Sequence, residues 1–205
     1  MIKNIVFDMG GVLIDFDPAR FVRRYTADPG EAALLENGIF RTAEWALMDW
    51  GYCTEEEACR IFCSRLPEKL HAAVKSLVYH WEEPLCPIEG MEALIRRLKA
   101  RGYGIYLLSN ATARQPDYWH RIPGWDCFDG TVISAFYHQV KPQSEIYRTL
   151  LEKYGLQAQE CVFVDDLAQN VAGARLCNWQ GIVFHNPEQL RRELEELGVN
   201  TGESE

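Results

Sequence analysis

The sequence has no apolar run approaching the ~18 residues needed to cross a bilayer. Its opening residues, Met-Ile-Lys-Asn-Ile-Val-Phe-Asp, lack the long apolar stretch and small-residue cleavage site of a secretory signal. Together these absences predict a cytoplasmic protein with no membrane partner. Basic residues are also in deficit, since 21 Lys and Arg against 30 Asp and Glu leave a net charge of −9. That balance argues against nucleic acid as a partner. It still admits a small anionic ligand, because one cation or metal inverts the field inside a cleft. The seven cysteines are odd in number and include no C-x-x-C pair. Cys59 and Cys63, with His71 nearby, do not make a recognisable zinc spacing. They are expected to be reduced thiols behaving as small apolar residues. Internal repeats and low-complexity segments are absent too.

What remains is a chain of 205 residues, 47% of them apolar, enough for one packed domain with a modest insertion. Short apolar runs at 4–7, 104–108, 131–134, 161–164 and 181–184 alternate with longer amphipathic stretches. The runs are continuous rather than alternating, as in strands buried on both faces. Helical spacing covers 90–101, 144–154, 167–176 and 187–197, with Gly102 and Gly155 as stops. The pattern predicts an α/β fold, a Rossmann-like parallel sheet covered by helices. One interval breaks the rhythm. Residues 18–84 carry only helical patterning, with a capping-box spelling that starts a helix near Thr54. That is too long for a simple crossover, so the expected organisation is a core of 1–17 and 85–205 with a helical cap of 18–84 inserted after the first strand. Residues 198–205 are small and polar and are expected to fray.

Ligands of an open parallel sheet bind at the carboxyl ends of its strands. The first polar residues there are Asp8, Ser109 with Asn110, Lys141, and the pair Asp165-Asp166. Taken singly, each reads as a helix cap or a solvated turn. As a set at successive strand ends they form a specific constellation. Crowded carboxylates repel unless a cation sits among them, and a few hard oxygen ligands suit Mg²⁺. The lysine and hydroxyl are then suited to hold a phosphoryl group.

The stretches Ile5-Val-Phe-Asp8-Met-Gly-Gly-Val-Leu, Leu107-Leu-Ser109-Asn110, Val140-Lys141-Pro142 and Val162-Phe-Val-Asp165-Asp166 resemble the four motifs of the haloacid dehalogenase-like hydrolase superfamily. The likeness runs the length of the chain, and the helical insertion sits where that family places its smaller cap. The first motif, followed by Asp15-Phe-Asp17, is similar to a bacterial subgroup of sugar-phosphate phosphatases. The resemblance implies a phosphatase that uses Mg²⁺ and acts on a small phosphorylated metabolite. In it Asp8 is the nucleophile and forms an aspartyl-phosphate. The metal is held by Asp8, the Gly10 carbonyl and Asp166, with Asp165 assisting directly or through water. Ser109 and the Asn110 backbone N–H bind phosphoryl oxygens, and Lys141 neutralises them.

Gly10 departs from the pattern. Most phosphatases of that family carry a second Asp two residues after the nucleophile as general acid–base, a role typically worth ~10²–10⁴ in rate. Three explanations stay open: a slow enzyme, a better leaving group, or a proton delivered by the substrate or by a cap residue. Asp15 and Asp17 have no evident reach to the site. Two other functions compete. A dehalogenase of the same superfamily expels halide without a proton, but that branch lacks the paired acids after the fourth strand. A non-catalytic phospho-ligand binder is the other. Within the cap, aromatics between Phe40 and Trp50, with Arg41 and Glu44, are candidates to contact a sugar. Tyr118, Trp119 and His120 are rim or core, with His120 expected at the surface. The oligomeric state has no sequence signal.

Overall fold

The computed structural model describes residues 1–202. Five strands, β1 (Asn4–Phe7), β2 (Gly104–Ser109), β3 (Gly130–Ile133), β4 (Cys161–Asp165) and β5 (Gln180–Val183), form one parallel sheet in the order β3-β2-β1-β4-β5. Each falls within one residue of its expected bounds. Alternate side chains feed two apolar layers, as the two-residue period of a strand requires. Ile5, Phe7, Ile105, Leu107, Val162 and Val164 face one layer, covered by α6 (Met91–Ala100) and α11 (Pro187–Glu196). Val6, Tyr106, Leu108, Val132 and Phe163 face the other, covered by α9 (Ser144–Tyr154) and α10 (Ala168–Leu176). The fold is the expected three-layer α/β sandwich.

Between β1 and β2 the described chain forms no strand. It carries α1 (Pro18–Val22), α2 (Pro29–Leu35), a π-helical turn at Glu36–Phe40, α3 (Ala43–Asp49), α4 (Glu55–Arg65) and α5 (His71–Tyr79). Local chemistry sets their starts. Asp17, Asp28 and Thr42 each accept a backbone N–H at a helix entrance, and Thr54 with Glu57 makes a reciprocal capping box. Two one-turn helices complete the set, α7 (Gln115–Tyr118) and α8 (Ser134–Tyr137).

The C-terminus corrects one expectation. Val199 and Thr201 are buried, the Asn200 N–H donates to the Tyr103 hydroxyl, and Thr201 reaches Glu195. The apolar valine at the centre of the polar tail docks it against the core. Residues 203–205 lie outside the described residues. The seven cysteines are free thiols, as expected.

Candidate active site

The sheet order turns at β1: β2 and β3 lie to one side, β4 and β5 to the other. A crevice opens at the carboxyl ends of strands at such a point. Register then fixes the neighbours. Phe7 pairs with both Leu107 and Val164, and the Asp8 N–H donates to the Val164 carbonyl at 2.8 Å. Asp8 and Asp165, each one residue further on, therefore stand side by side. Lys141 Nζ lies between them, 2.7 Å from Asp8 Oδ1 and 2.7 Å from Asp165 Oδ2. The lysine is buried, and its backbone is clamped by Asn110, which accepts from the Lys141 N–H at 2.9 Å and donates to its carbonyl at 3.2 Å.

The two adjacent acids at the end of β4 differ in setting. Asp165 is fully buried, and both its oxygens are saturated. They accept from the Leu167 N–H, from Asn170 Nδ2 and from Lys141. It is placed to hold the lysine and the following turn. Asp166 is exposed to the cavity, pressed against Gly11. Gly11 has φ +74°, and a Cβ there would lie 2.5 Å from Asp166 Oδ2, so only glycine fits.

Charge is unbalanced at this edge. Burial pushes the Asp8 carboxyl up to about 7, with Asp165 adding to the rise and Lys141 opposing it. Asp166 is raised too, by burial and by Asp165. Burial alone would lower Lys141, but the pull of Asp8 and Asp165 outweighs it and keeps the ammonium protonated. Oxygens of Asp8, Asp165 and Asp166 lie within 4.8 Å of one another. The Gly10 carbonyl accepts no backbone hydrogen bond among the described residues, and Asn170 Oδ1 is buried without a partner. Three carboxylates against one ammonium, with free oxygens beside them, fit a hard divalent cation.

Above this floor is a cavity of about 340 Å³. Asp8, Gly10, Asn110, Lys141 and Asp166 line its base, and Met9, Phe16, Trp45, Trp81, Tyr118 and Leu167 its walls. A model of the haloacid dehalogenase-like hydrolases matches residues 2–178 of the chain. The protein belongs to that family.

Relatives of this hydrolase span two chemistries. It is 29% identical to the sesquiterpene phosphatase astK of Aspergillus oryzae over 201 residues, 95% of this chain and 96% of that one. It is also 29% identical to an (S)-2-haloacid dehalogenase of Pseudomonas sp. over 185 residues, 85% of this chain and 78% of the other. The fold is similar to that of the family enzyme bt-2542 of Bacteroides thetaiotaomicron, solved with magnesium and inorganic phosphate. That match has a TM-score of 0.69 and 21% identity, covering 91% of this chain and 96% of the other. The family match makes the protein a hydrolase, and the relatives it resembles include both phosphatases and a dehalogenase.

Several expected residues fall elsewhere in the hydrolase. Ser109 is buried at the end of β2, while Asn110, Ala111 and Thr112 of the same turn line the cavity. Arg41 pairs with Glu36 and Glu44 with Arg65 on the outside of the insertion, so neither is a cavity residue. Their side chains find partners within the insertion instead, Arg41 in the turn it closes and Glu44 on α4. Trp45 of the same segment does face the cavity, packed on Phe40 at 4.5 Å. Asp15 pairs with Arg20, and Asp17 caps α1. His120 is exposed and Tyr118 buried in the cavity wall. Asp49, the last residue of α3, is a titratable cavity residue that carried no signal in the sequence.

Proposed function

We propose that the protein is a Mg²⁺-dependent phosphatase that hydrolyses a small phosphomonoester through a phosphorylated Asp8. The supporting observation is the clustering of Asp8, Asp165 and Asp166 within 4.8 Å around the buried Lys141. Asp8, the Gly10 carbonyl and Asp166 would hold the metal. When bound, the cation neutralises charge on the transferring phosphoryl group. Asp165, saturated by hydrogen bonds, acts by orienting Lys141. Asp8 Oδ attacks phosphorus, and the P–O bond to the alcohol breaks. Lys141 and the turn of Asn110 after β2 hold the phosphoryl oxygens. Water then attacks the aspartyl-phosphate, releasing phosphate and restoring the carboxylate.

The paired acids also weigh against the dehalogenase reading, since carbon–halogen hydrolysis needs no cation among them. Trp45 and Trp81 supply aromatic faces that suit a sugar ring, which supports a sugar phosphate. A second reading has its own observation: the walls offer few hydrogen-bonding side chains and many apolar ones. They suit the hydrocarbon alcohol of a phosphate like the substrate class named for astK. The helices of 18–84 serve as the cap that sets this choice, and a cytoplasmic location belongs to the same proposal.

A screen of sugar phosphates and isoprenoid monophosphates, run with Mg²⁺ and with EDTA, tests the whole. Metal-dependent release of phosphate is expected, falling at least ~10³-fold in Asp8→Asn with the fold intact by circular dichroism. Phosphate release that survives Asp8→Asn, or none with any ester, overturns it.

A further inference from the structure

Gly10 leaves the first strand without a proton donor beside the nucleophile. Among the described residues, three carboxylates line the cavity: Asp8 and Asp166 at its base, and Asp49 from the helical insertion. No histidine lines it, and burial pushes the Tyr118 hydroxyl far above its ordinary value. Lys141 is bound between two carboxylates and retains its proton. Asp49 alone is free to exchange one.

Its surroundings are those of a placed group. The Asp49 carboxylate makes no hydrogen bond or ion pair among the described residues, in contrast to Asp15, Glu36 and Glu44 of the same half of the chain. Its backbone, however, is tied to the opposite side of the crevice. The Ser134 hydroxyl donates to the Asp49 carbonyl. Trp50 Nε1 donates to the His138 carbonyl at 2.9 Å, and His138 Nδ1 lies 3.1 Å from the Trp50 carbonyl. Gly51, at φ +76°, passes so close to Ala135 that a Cβ would lie 2.2 Å from its carbonyl oxygen. The end of α3 is thus fastened to the turn after β3, and the side chain is held over the site by rigid elements, as a reacting group must be.

We propose that Asp49 is the general acid–base of this enzyme, supplied from the insertion in place of the group missing at Gly10. In the first step Asp8 Oδ bonds to phosphorus as the P–O bond to the alcohol breaks, and the Asp49 carboxyl gives its proton to the departing oxygen. In the second step the Asp49 carboxylate takes a proton from water as that water attacks phosphorus. The P–O bond to Asp8 breaks, phosphate leaves, and Asp49 ends protonated as it began. Electrostatics suit both steps. Burial and the charge of Asp8 push the Asp49 carboxyl up to about 7, Lys141 opposes them, and Glu55 at the start of α4 adds a little. A group near the working pH exchanges protons in both directions.

This inference rests on the phosphatase reading, and leaving-group dependence separates the two. The probes are an alkyl phosphate that the wild type hydrolyses and 4-nitrophenyl phosphate, whose anion departs without a proton. Asp49→Asn is expected to lose ~10² or more in kcat/KM on the alkyl ester. The loss on the nitrophenyl ester should be at least tenfold smaller, with a burst of nitrophenol matching the enzyme present because dephosphorylation is now slow. Gly10 has no positive φ, and a Cβ there meets only Phe16 at 3.4 Å, so Gly10→Asp is sterically acceptable. Adding it to Asp49→Asn should restore alkyl turnover. Equal loss on both esters, or no loss, overturns the role of Asp49 while leaving the phosphatase reading intact. Asp49→Ala provides the same comparison should the amide misfold. A wild type inactive on both esters, or Asp8→Asn active on them, sinks the phosphatase reading itself.

Discussion

Lys141 and Asp49 face one cavity in opposite electrostatic settings. Lys141 is buried with a carboxylate on either side, so its charge is compensated. Asp49 has no side-chain partner among the described residues; burial and then Asp8 disfavour its ionisation, Lys141 opposes them, and Glu55 adds to the rise. With a folded value of about 7 against an ordinary 3.8, Asp49 keeps a proton in the folded chain that the unfolded chain releases. Stability from this group is therefore full below about pH 4 and is lost as pH rises through about 7. Asp49→Asn should raise Tm above wild type at pH 8 in EDTA, and the gain should vanish near pH 4. An Asn variant less stable than wild type at pH 8 would contradict this strain. Asp8, Asp165 and Asp166 were legible in the sequence because they close buried apolar runs at strand ends, and Lys141 because it sits beside Pro142 in the loop after the third run. Asp49 was not, because an acid at the end of an amphipathic helix reads as a solvated terminus, and only the chain path brings it to β1.

Elements explain why that terminus is in place. The long helices could be read from their helical spacing and the five strands from continuous apolar runs, and Gly155 at φ +66° ends α9 where expected. The one-turn helices α7 and α8 and the π-helical turn at Glu36–Phe40 could not, since so few residues carry no period. Yet α8 is what anchors α3, through Ser134, Ala135 and the adjoining His138. Gly51→Ala forces a side chain into the Ala135 carbonyl and into a backbone region that costs roughly 1–2 kcal/mol for an L-residue. The kcat/KM for alkyl phosphates should fall at least tenfold and that for 4-nitrophenyl phosphate less, because the acid is displaced rather than the nucleophile. Gly102→Ala is the matched control: its φ is +86°, and a Cβ there meets nothing within 4 Å. It should lose stability and keep its rates. Matching losses in the two variants would show that the α3–α8 contact does not position the acid.

At the scale of the molecule, the net charge of −9 and the single long helical interval set the outline, but not how the insertion relates to the sheet. Its attachment is apolar. One continuous cluster runs from Phe7, Met9, Leu13 and Ile14 beneath the site to Phe21, Ile39, Phe62 and Leu77 of the insertion. Phe16 bridges the two, with Trp81 at 5.1 Å and Phe21 at 5.4 Å. A shared core of this kind transmits the loss of any part to the whole, so the chain should unfold in one step. Phe62→Ala in α4 and Phe163→Ala in β4 remove fully buried rings from opposite ends of the structure. Each should cost about 3–5 kcal/mol and shift the same transition. Urea unfolding followed by far-ultraviolet circular dichroism and by tryptophan emission measures this. Trp45 and Trp81 report on the cavity wall, while Trp179 reports on the far face of the sheet. Coincident curves in wild type and both variants are expected. If Phe62→Ala instead splits off an early emission change while the sheet signal holds, the insertion folds as a separate unit, and the site closes by its docking rather than by a common core.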